Sequence, residues 1–198
     1  MVRAEPVFEP FEQQYISLGP VCGVDEAGRG PLAGDVYAAA VILPEHYELP
    51  GLNDSKQCAA KVRERLCESI KAQAAAWAVG IATVDEIAEL NILRAALLAM
   101  RRAVEALRPA AACALVDGNQ RPPLPIPCET VVRGDARCAS VAAASIVAKV
   151  TRDHAMAALD EAYPGYGFAQ HKGYGTQAHY EALARLGPCY AHRLGFLH

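Results

Sequence analysis

What constrains this chain most is the rhythm of its apolar runs, which are short enough for strands and set apart by stretches of helical periodicity. Residues 21–26 ("VCGVDE") and 35–43 ("DVYAAAVIL") read as two strands joined in hairpin fashion by a Gly/Pro turn. "AWAVGIATV" (76–84), "CALVDG" (113–118) and "CETVVRGD" (128–135) read as three more. A helix over 59–73 follows the loop "LPGLNDSKQ" (49–57), with Asp54 or Ser55 placed to cap it. Residues 85–109 read as one long amphipathic helix, acidic at its start, basic toward its end and stopped by Pro109. Residues 136–163 read as another long helix, whose many alanines permit close packing onto a sheet. A short helix from about Gln177 is capped by Thr176 and stopped at Gly187-Pro188. Two hairpin strands followed by strand–helix alternation predict an α/β layer fold with a mixed sheet.

Three of the predicted strand ends carry carboxylates: Asp25 with Glu26, then Asp117, then Asp135. Strand ends in an open α/β sheet are where sites form. Singly, each acid has an ordinary explanation. Asp117-Gly118 is a turn pair, Asp135 suits the N-cap of the alanine-rich helix, and Asp25 and Glu26 alternate to opposite faces of a strand. Together, four converging carboxylates would repel and raise one another's pKa unless cations intervened. Mg²⁺ and Mn²⁺ are hard ions that prefer carboxylate oxygen, and two of them about 3.5–4 Å apart clamp a phosphodiester for in-line attack.

The loop after the first pair, Gly28-x-Gly30-x-x-x-Gly34, misses the dinucleotide fingerprint by one position and leads toward a strand. It also lacks the Gly-Lys-Ser/Thr of a phosphate-cradling P-loop. Glycines here permit close backbone approach to a sugar hydroxyl, and the 2′-hydroxyl separates RNA from DNA. A formal net charge of −3 does not announce a nucleic-acid binder, so attraction to a polyanion must be local or come from bound cations. Two divalent ions would bring that charge to about +1.

At 198 residues the chain suits one domain with a small appendage. Its seven cysteines include no Cys-x-x-Cys pair and lie partly in apolar stretches. That argues against a disulfide framework or zinc site and predicts a reducing cytoplasm. No apolar run approaches the roughly 20 residues of a membrane span. The opening "MVRAEPVFEPFEQQY", acidic and proline-bearing, predicts a loosely held tail over 1–20 rather than a secretion signal.

The segments "GVDEAGRGPLAG", "LNDSK", "ELNILRAALLAM", "VDG", "RGDARCASVAAASIVAKVTRD" and "YPGYGFAQHKGYGT" followed by "HR" are collinear with those of a known family. In them the chain resembles bacterial ribonuclease HII, the type 2 ribonuclease H, over nearly everything beyond the first 20 or so residues. The resemblance implies a ribonuclease H-like mixed sheet flanked by helices over 21–162, with a helical C-terminal extension over 163–198 that contributes to substrate binding. It implies cutting of the RNA strand in RNA–DNA hybrids and 5′ of single ribonucleotides in duplex DNA, with Mn²⁺ or Mg²⁺, leaving 5′-phosphate and 3′-hydroxyl ends. The family's catalytic and metal-binding acids fall on Asp25, Glu26, Asp117 and Asp135. Its ribose-reading Gly-Arg-Gly element falls on Gly28, Arg29 and Gly30, and its junction tyrosine on Tyr174. The Asp-Ser-Lys element falls on Asp54, Ser55 and Lys56, the last two meeting phosphate. Arg133, also implied to contact nucleic acid, stands where lysine is common, Gln57 where a second lysine is frequent, and Gly195 where serine is usual. Within this reading Glu26 binds metal through its carboxylate or its backbone carbonyl, both alternatives staying open. A monomer without membrane attachment is the default expectation.

Other residues have two readings each. Lys149, Arg152 and Asp153 either support the site or form a solvated helix end. His171 and Lys172 either approach phosphate or decorate a surface loop. Tyr163, Tyr166 and Phe168 are expected to be packing aromatics, and Trp77 to belong to the core.

Overall fold

The computed structural model describes residues 7–197. Strands β1 (Val21–Ala27), β2 (Val36–Ile42), β3 (Ala76–Ala82), β4 (Cys113–Asp117) and β5 (Cys128–Val131) form one sheet in the order β3-β2-β1-β4-β5. β2 lies antiparallel to β1 and β3, while β1, β4 and β5 run parallel. The mixture follows from the connections: a short turn suffices between β1 and β2, whereas a parallel neighbour needs a long crossover. The helices are α1 (Ala60–Gln73), α2 (Val84–Leu90), α3 (Ile92–Ala106), α4 (Gly134–Arg137), α5 (Ala139–Ala162), α6 (Phe168–His171) and α7 (Gln177–Leu186). The predicted α/β fold, a mixed sheet flanked by helices, is the one observed.

Strand alternation divides the interior into two cores. Cys22, Val24, Val36, Ala38 and Ala40 face α3 through Ala95, Ala99 and Ala103. Ala39 and Val41 face the opposite side, against Leu66 and Ile70 of α1 and Ala142, Ala143 and Ile146 of α5. Fully burying each valine or isoleucine stabilises the fold by about 1.5–3 kcal/mol. The approach of α5 to the sheet is close enough that a Cβ on Gly23 would lie 2.1 Å from the Ser140 carbonyl carbon. Glycine in β1 and alanine in α5 therefore serve one purpose: they bring the end of β1 directly under α5.

Four expectations change. The helix predicted over 85–109 is two helices, α2 and α3, broken at Asn91. Asn91 has φ 72° and its side chain accepts from the N–H groups of Leu93 and Arg94, so it caps α3 from a left-handed conformation that asparagine tolerates. Neither Asp54 nor Ser55 caps α1, whose N-cap is Ala59 without a side-chain bond. Asp54 accepts instead from Lys56 N–H, and the Ser55 hydroxyl is taken by Ser145 of α5. The fifth strand stops at Val131, so Asp135 sits in the first turn of α4 and caps neither the strand nor α5. Trp77 is 41% exposed on the edge strand β3, with Lys71 Nζ 4.6 Å above its ring, and is not core. By contrast α7 starts and ends as expected, with Thr176 capping and Gly187 closing it.

Residues 1–6 of the predicted tail lie outside the described residues. The part that follows is held against the body. Glu9 pairs with Arg137 at 2.7 Å, and one Glu12 carboxylate oxygen accepts from the N–H and hydroxyl of Ser140 and from the Cys138 thiol. Phe11 and Tyr15 pack beside Val21, Leu115 and Val141. Here a distant carboxylate supplies the N-terminal cap that α5 lacks in its own sequence.

Candidate active site

The parallel pairing of β1 with β4 places Val24 opposite Val116. One residue further on, where the pairing of the two strands ends, Asp25 and Asp117 stand side by side. The third acid arrives through a turn. Arg133 adopts φ 56°, reversing the chain after β5, and Asp117 Oδ1 accepts from Gly134 N–H at 2.7 Å. That bond docks α4 on β4 and delivers Asp135. One oxygen from each of Asp25, Asp117 and Asp135 then lies within 4.8 Å of the others.

Asp25 and Asp135 are only 6% and 7% exposed, so the cluster is poorly hydrated. Burial, followed by the charges of Glu26 and Asp117, pushes the Asp25 carboxyl well above its ordinary range. Burial, then Asp117 and Asp54, raises Asp135 to about 6. The nearest ammonium, Lys56 Nζ, lies 3.9 Å from Asp135 on a side chain 81% exposed, too solvated to neutralise the group. Three converging carboxylate oxygens fit a hard divalent cation, which would relieve their repulsion.

Glu26 stands apart. Cys22 and Val24 face α3, so the two-residue period sends Glu26 to that same side, away from Asp25. Its carboxylate meets Arg29 at 3.2 Å and shares a small cavity with Asp117, Leu93, Ala96 and Asn119. The expected quartet is thus a trio, with Asp25 and Asp135 buried and Asp117 half-buried, and a fourth acid beside it. Asp54, expected as a cap, instead adds its charge to those that raise the Asp135 carboxyl.

A cleft of about 210 Å³ extends from Asp25 and Glu26 and brings together Gly28, Arg29, Gly30, Ser55, Lys56, Lys149 and Tyr174. Ser55 is buried and held by Ser145, while Lys56 reaches out into solvent. Tyr174 is 46% exposed, and its ring edge lies 3.5 Å from the point a Cβ on Gly30 would occupy. Gly28 must be glycine: at φ 103° its Cβ would fall 2.1 Å from Arg152 Nε. Arg133, expected to contact nucleic acid, is exposed at the turn before α4 and does not line the cleft.

Arg152, one of the ambiguous residues, is 1% exposed and donates to the carbonyls of Ala33, Asp35 and Lys172. It is a buried support, not a solvated helix end. Lys149 lines the cleft and pairs with Asp153 at 2.6 Å. His171 is turned to the Tyr166 carbonyl, and Tyr166 stacks on Phe168 at 5.2 Å as the packing reading expected. Arg193, quoted only as part of a motif, turns out 2% exposed beneath the Gly28–Gly30 loop. An arginine inside an aromatic, glycine-rich tail was the available signal.

Residues 22–198 match the family described as Ribonuclease HII. A ribonuclease HII of Caulobacter vibrioides is 59% identical over 177 residues, covering 89% of this chain and 84% of that protein. Among solved structures, the ribonuclease H2 from Pyrococcus horikoshii OT3 superposes with a TM-score of 0.73 at 27% identity, over 89% of this chain and 93% of that one. Bst-RNase HIII, solved in complex with Mn²⁺, shares the fold at TM-score 0.71 and 19% identity, over 96% and 71% of the two chains. A match that takes in every acid of the cluster, the glycine loop and the tail makes this chain a member of the ribonuclease HII family.

Proposed function

We propose that this metal-dependent ribonuclease H, which acts on RNA–DNA hybrids, also cuts 5′ of a single ribonucleotide embedded in duplex DNA. The observation that carries the reading is the shared cleft: the Asp25–Asp117–Asp135 cluster adjoins the Gly28–Gly30 loop and Tyr174. Asp25, Asp117 and Asp135 would hold two Mg²⁺ or Mn²⁺ ions, with Glu26 adding its carbonyl or carboxylate. When bound, such ions supply an activated water and neutralise charge on the departing oxygen.

The chain's own groups do the positioning. Ser55, Lys56 and Lys149 line the path a phosphate would take beside the acids. Peptide groups of Gly28, Arg29 and Gly30 are bare enough to meet a 2′-hydroxyl, and Tyr174 closes the opposite side of the sugar. Water oxygen adds to phosphorus as the P–O3′ bond breaks, and the proton gained by O3′ leaves a 3′-hydroxyl and a 5′-phosphate. Arg133 would touch nucleic acid only at the rim, through long-range attraction.

All seven cysteines are free thiols, in keeping with a reducing cytoplasm, and no described helix is long and apolar enough to cross a membrane. The body over 21–162 is read as the catalytic unit, acting as a monomer, with 163–198 as its substrate-binding extension. The decisive experiment incubates the protein with a duplex containing one ribonucleotide, with Mg²⁺ or Mn²⁺ and then with chelator, and maps the cut. Cleavage 5′ of the ribonucleotide that disappears on chelation is expected. An intact duplex in the presence of metal would refute the reading, and cleavage of an all-DNA junction instead would favour a structure-selective nuclease.

A further inference from the structure

Two buried arginines lie under the glycine loop, and neither forms an ion pair among the described residues. Arg193 spends its guanidinium on carbonyls. Nη2 donates to Gly28 and Gly34 at 2.6 Å each, Nη1 to Arg29 at 3.1 Å and Pro31 at 2.8 Å, and Nε to Gly34 at 2.9 Å. Arg152 takes the carbonyls of Ala33 and Asp35 nearby. Guanidinium groups that draw in a run of carbonyls turn peptide oxygens toward the protein, which leaves N–H groups of the loop free for the cleft.

The residue before Arg193 holds the other side. His192 Nδ1 accepts from Cys189 N–H at 3.0 Å, which makes Nε2 its donor. That nitrogen lies 3.1 Å from His179 Nε2, and His179 Nδ1 in turn lies 2.9 Å from the Tyr174 carbonyl. A carbonyl only accepts, so the chain of bonds has one direction: Cys189 to His192 to His179 to Tyr174. Between these arms the backbone is bonded too, Gly34 N–H to Ala191 O and Arg193 N–H to Leu32 O, both at 2.8 Å.

We infer that the dipeptide His192-Arg193 is a positioning device for ribose recognition: it fixes the gap between the Gly28–Gly30 loop, through Arg193, and Tyr174, through His192 and His179. The inference rests on the reading that this loop and Tyr174 sense a ribose. It assigns the C-terminal extension a specific task, since neither residue touches the acids or the phosphate path.

The test compares binding of one duplex carrying a single ribonucleotide with the same duplex in all-DNA form, using Asp25→Asn protein to prevent cutting. Arg193→Lys keeps a cation but has three donors in place of the planar fork. Its preference for the ribonucleotide duplex is expected to fall about tenfold, the worth of one well-placed hydrogen bond, while affinity for all-DNA stays unchanged. His179→Phe keeps a ring in the stack and deletes both bonds, so it is expected to lower the same preference. Either variant losing affinity for both duplexes alike would mark its residue as merely structural and overturn the proposal. Preference retained by Arg193→Lys would overturn it as well. No preference in the Asp25→Asn parent would sink the ribose reading itself, which distinguishes the two failures.

Discussion

The acidic trio and the arginine-bound loop adjoin in one cleft yet solve burial in opposite ways. Asp25, Asp117 and Asp135 crowd like charges together with no adequate counter-charge among the described residues. Arg152 and Arg193 are as deeply buried, but neutral carbonyls occupy their donors. One group of charges is therefore complete in the free protein and the other is completed only by something that binds. Removing a member of the first should cost activity and spare stability, whereas disturbing the second should cost both.

Asp25→Asn gives the largest expected effect. Losing an anionic ligand at the centre of the cluster lowers the cleavage rate by about a thousandfold or more. Metal-free protein is nevertheless expected to be more stable by about 1–3 kcal/mol, because a charge disfavoured by burial has gone. Urea unfolding in chelator checks this; a destabilised variant would break the comparison.

The same strain makes stability depend on pH. A carboxyl whose pKa is raised by folding is bound to its proton more tightly in the folded state, so stability falls as pH rises through that window. For Asp135 it runs from the ordinary value of 3.8 to about 6, and the penalty is complete above that. The stability difference between wild type and Asp135→Asn should accordingly widen between about pH 4 and pH 7 in chelator. Mn²⁺ at a hundred times its Kd should return about 2.7 kcal/mol to the wild type. Thermal melts at two pH values, with and without Mn²⁺, read both.

Gly28→Ala probes the completed side. The added methyl meets Arg152 at 2.1 Å in a left-handed backbone, so a loss of about 1–3 kcal/mol is expected, together with weaker discrimination of ribose. Unchanged melting would show that the loop yields, and that the carbonyls are not held as tightly as their short bonds suggest.

How much of this was legible beforehand depended on the range of the signal. The positions of the first four strands, α7 and its caps rest on neighbours in sequence, and local patterning revealed them. The convergence of Asp25 with Asp117 was readable as strand ends, and strand alternation already placed Glu26 on the other face of β1. What escaped were choices made by distant partners. Ser55 seemed a cap until Ser145, 90 residues away, claimed its hydroxyl. Asp135 seemed a strand end until Asp117 pinned Gly134 and wound α4. The break at Asn91 escaped because the apolar period runs on through it; only a left-handed φ stops the helix. Arg193 escaped because a buried cation held by carbonyls carries no acidic partner for a pattern to find.

Glu12 sharpens the comparison with the smallest effect. Like Asp135 it is a carboxylate drawn against the protein, but its oxygen receives the Ser140 N–H at 3.0 Å, the Ser140 hydroxyl at 2.8 Å and the Cys138 thiol at 3.0 Å. It sits where α5 exposes unpaired donors and the positive end of its dipole. Charge is favoured there, so neutralising it should destabilise, opposite in sign to Asp135→Asn. Glu12→Gln keeps the shape and is expected to cost about 1 kcal/mol, with cleavage unchanged because the residue lies off the cleft. Paired urea titrations of Glu12→Gln and Asp135→Asn in chelator give the result directly. If both substitutions shifted stability in the same direction, satisfaction by donors would not be what separates the two carboxylates, and the contrast between a finished site and an unfinished one would lose its physical basis.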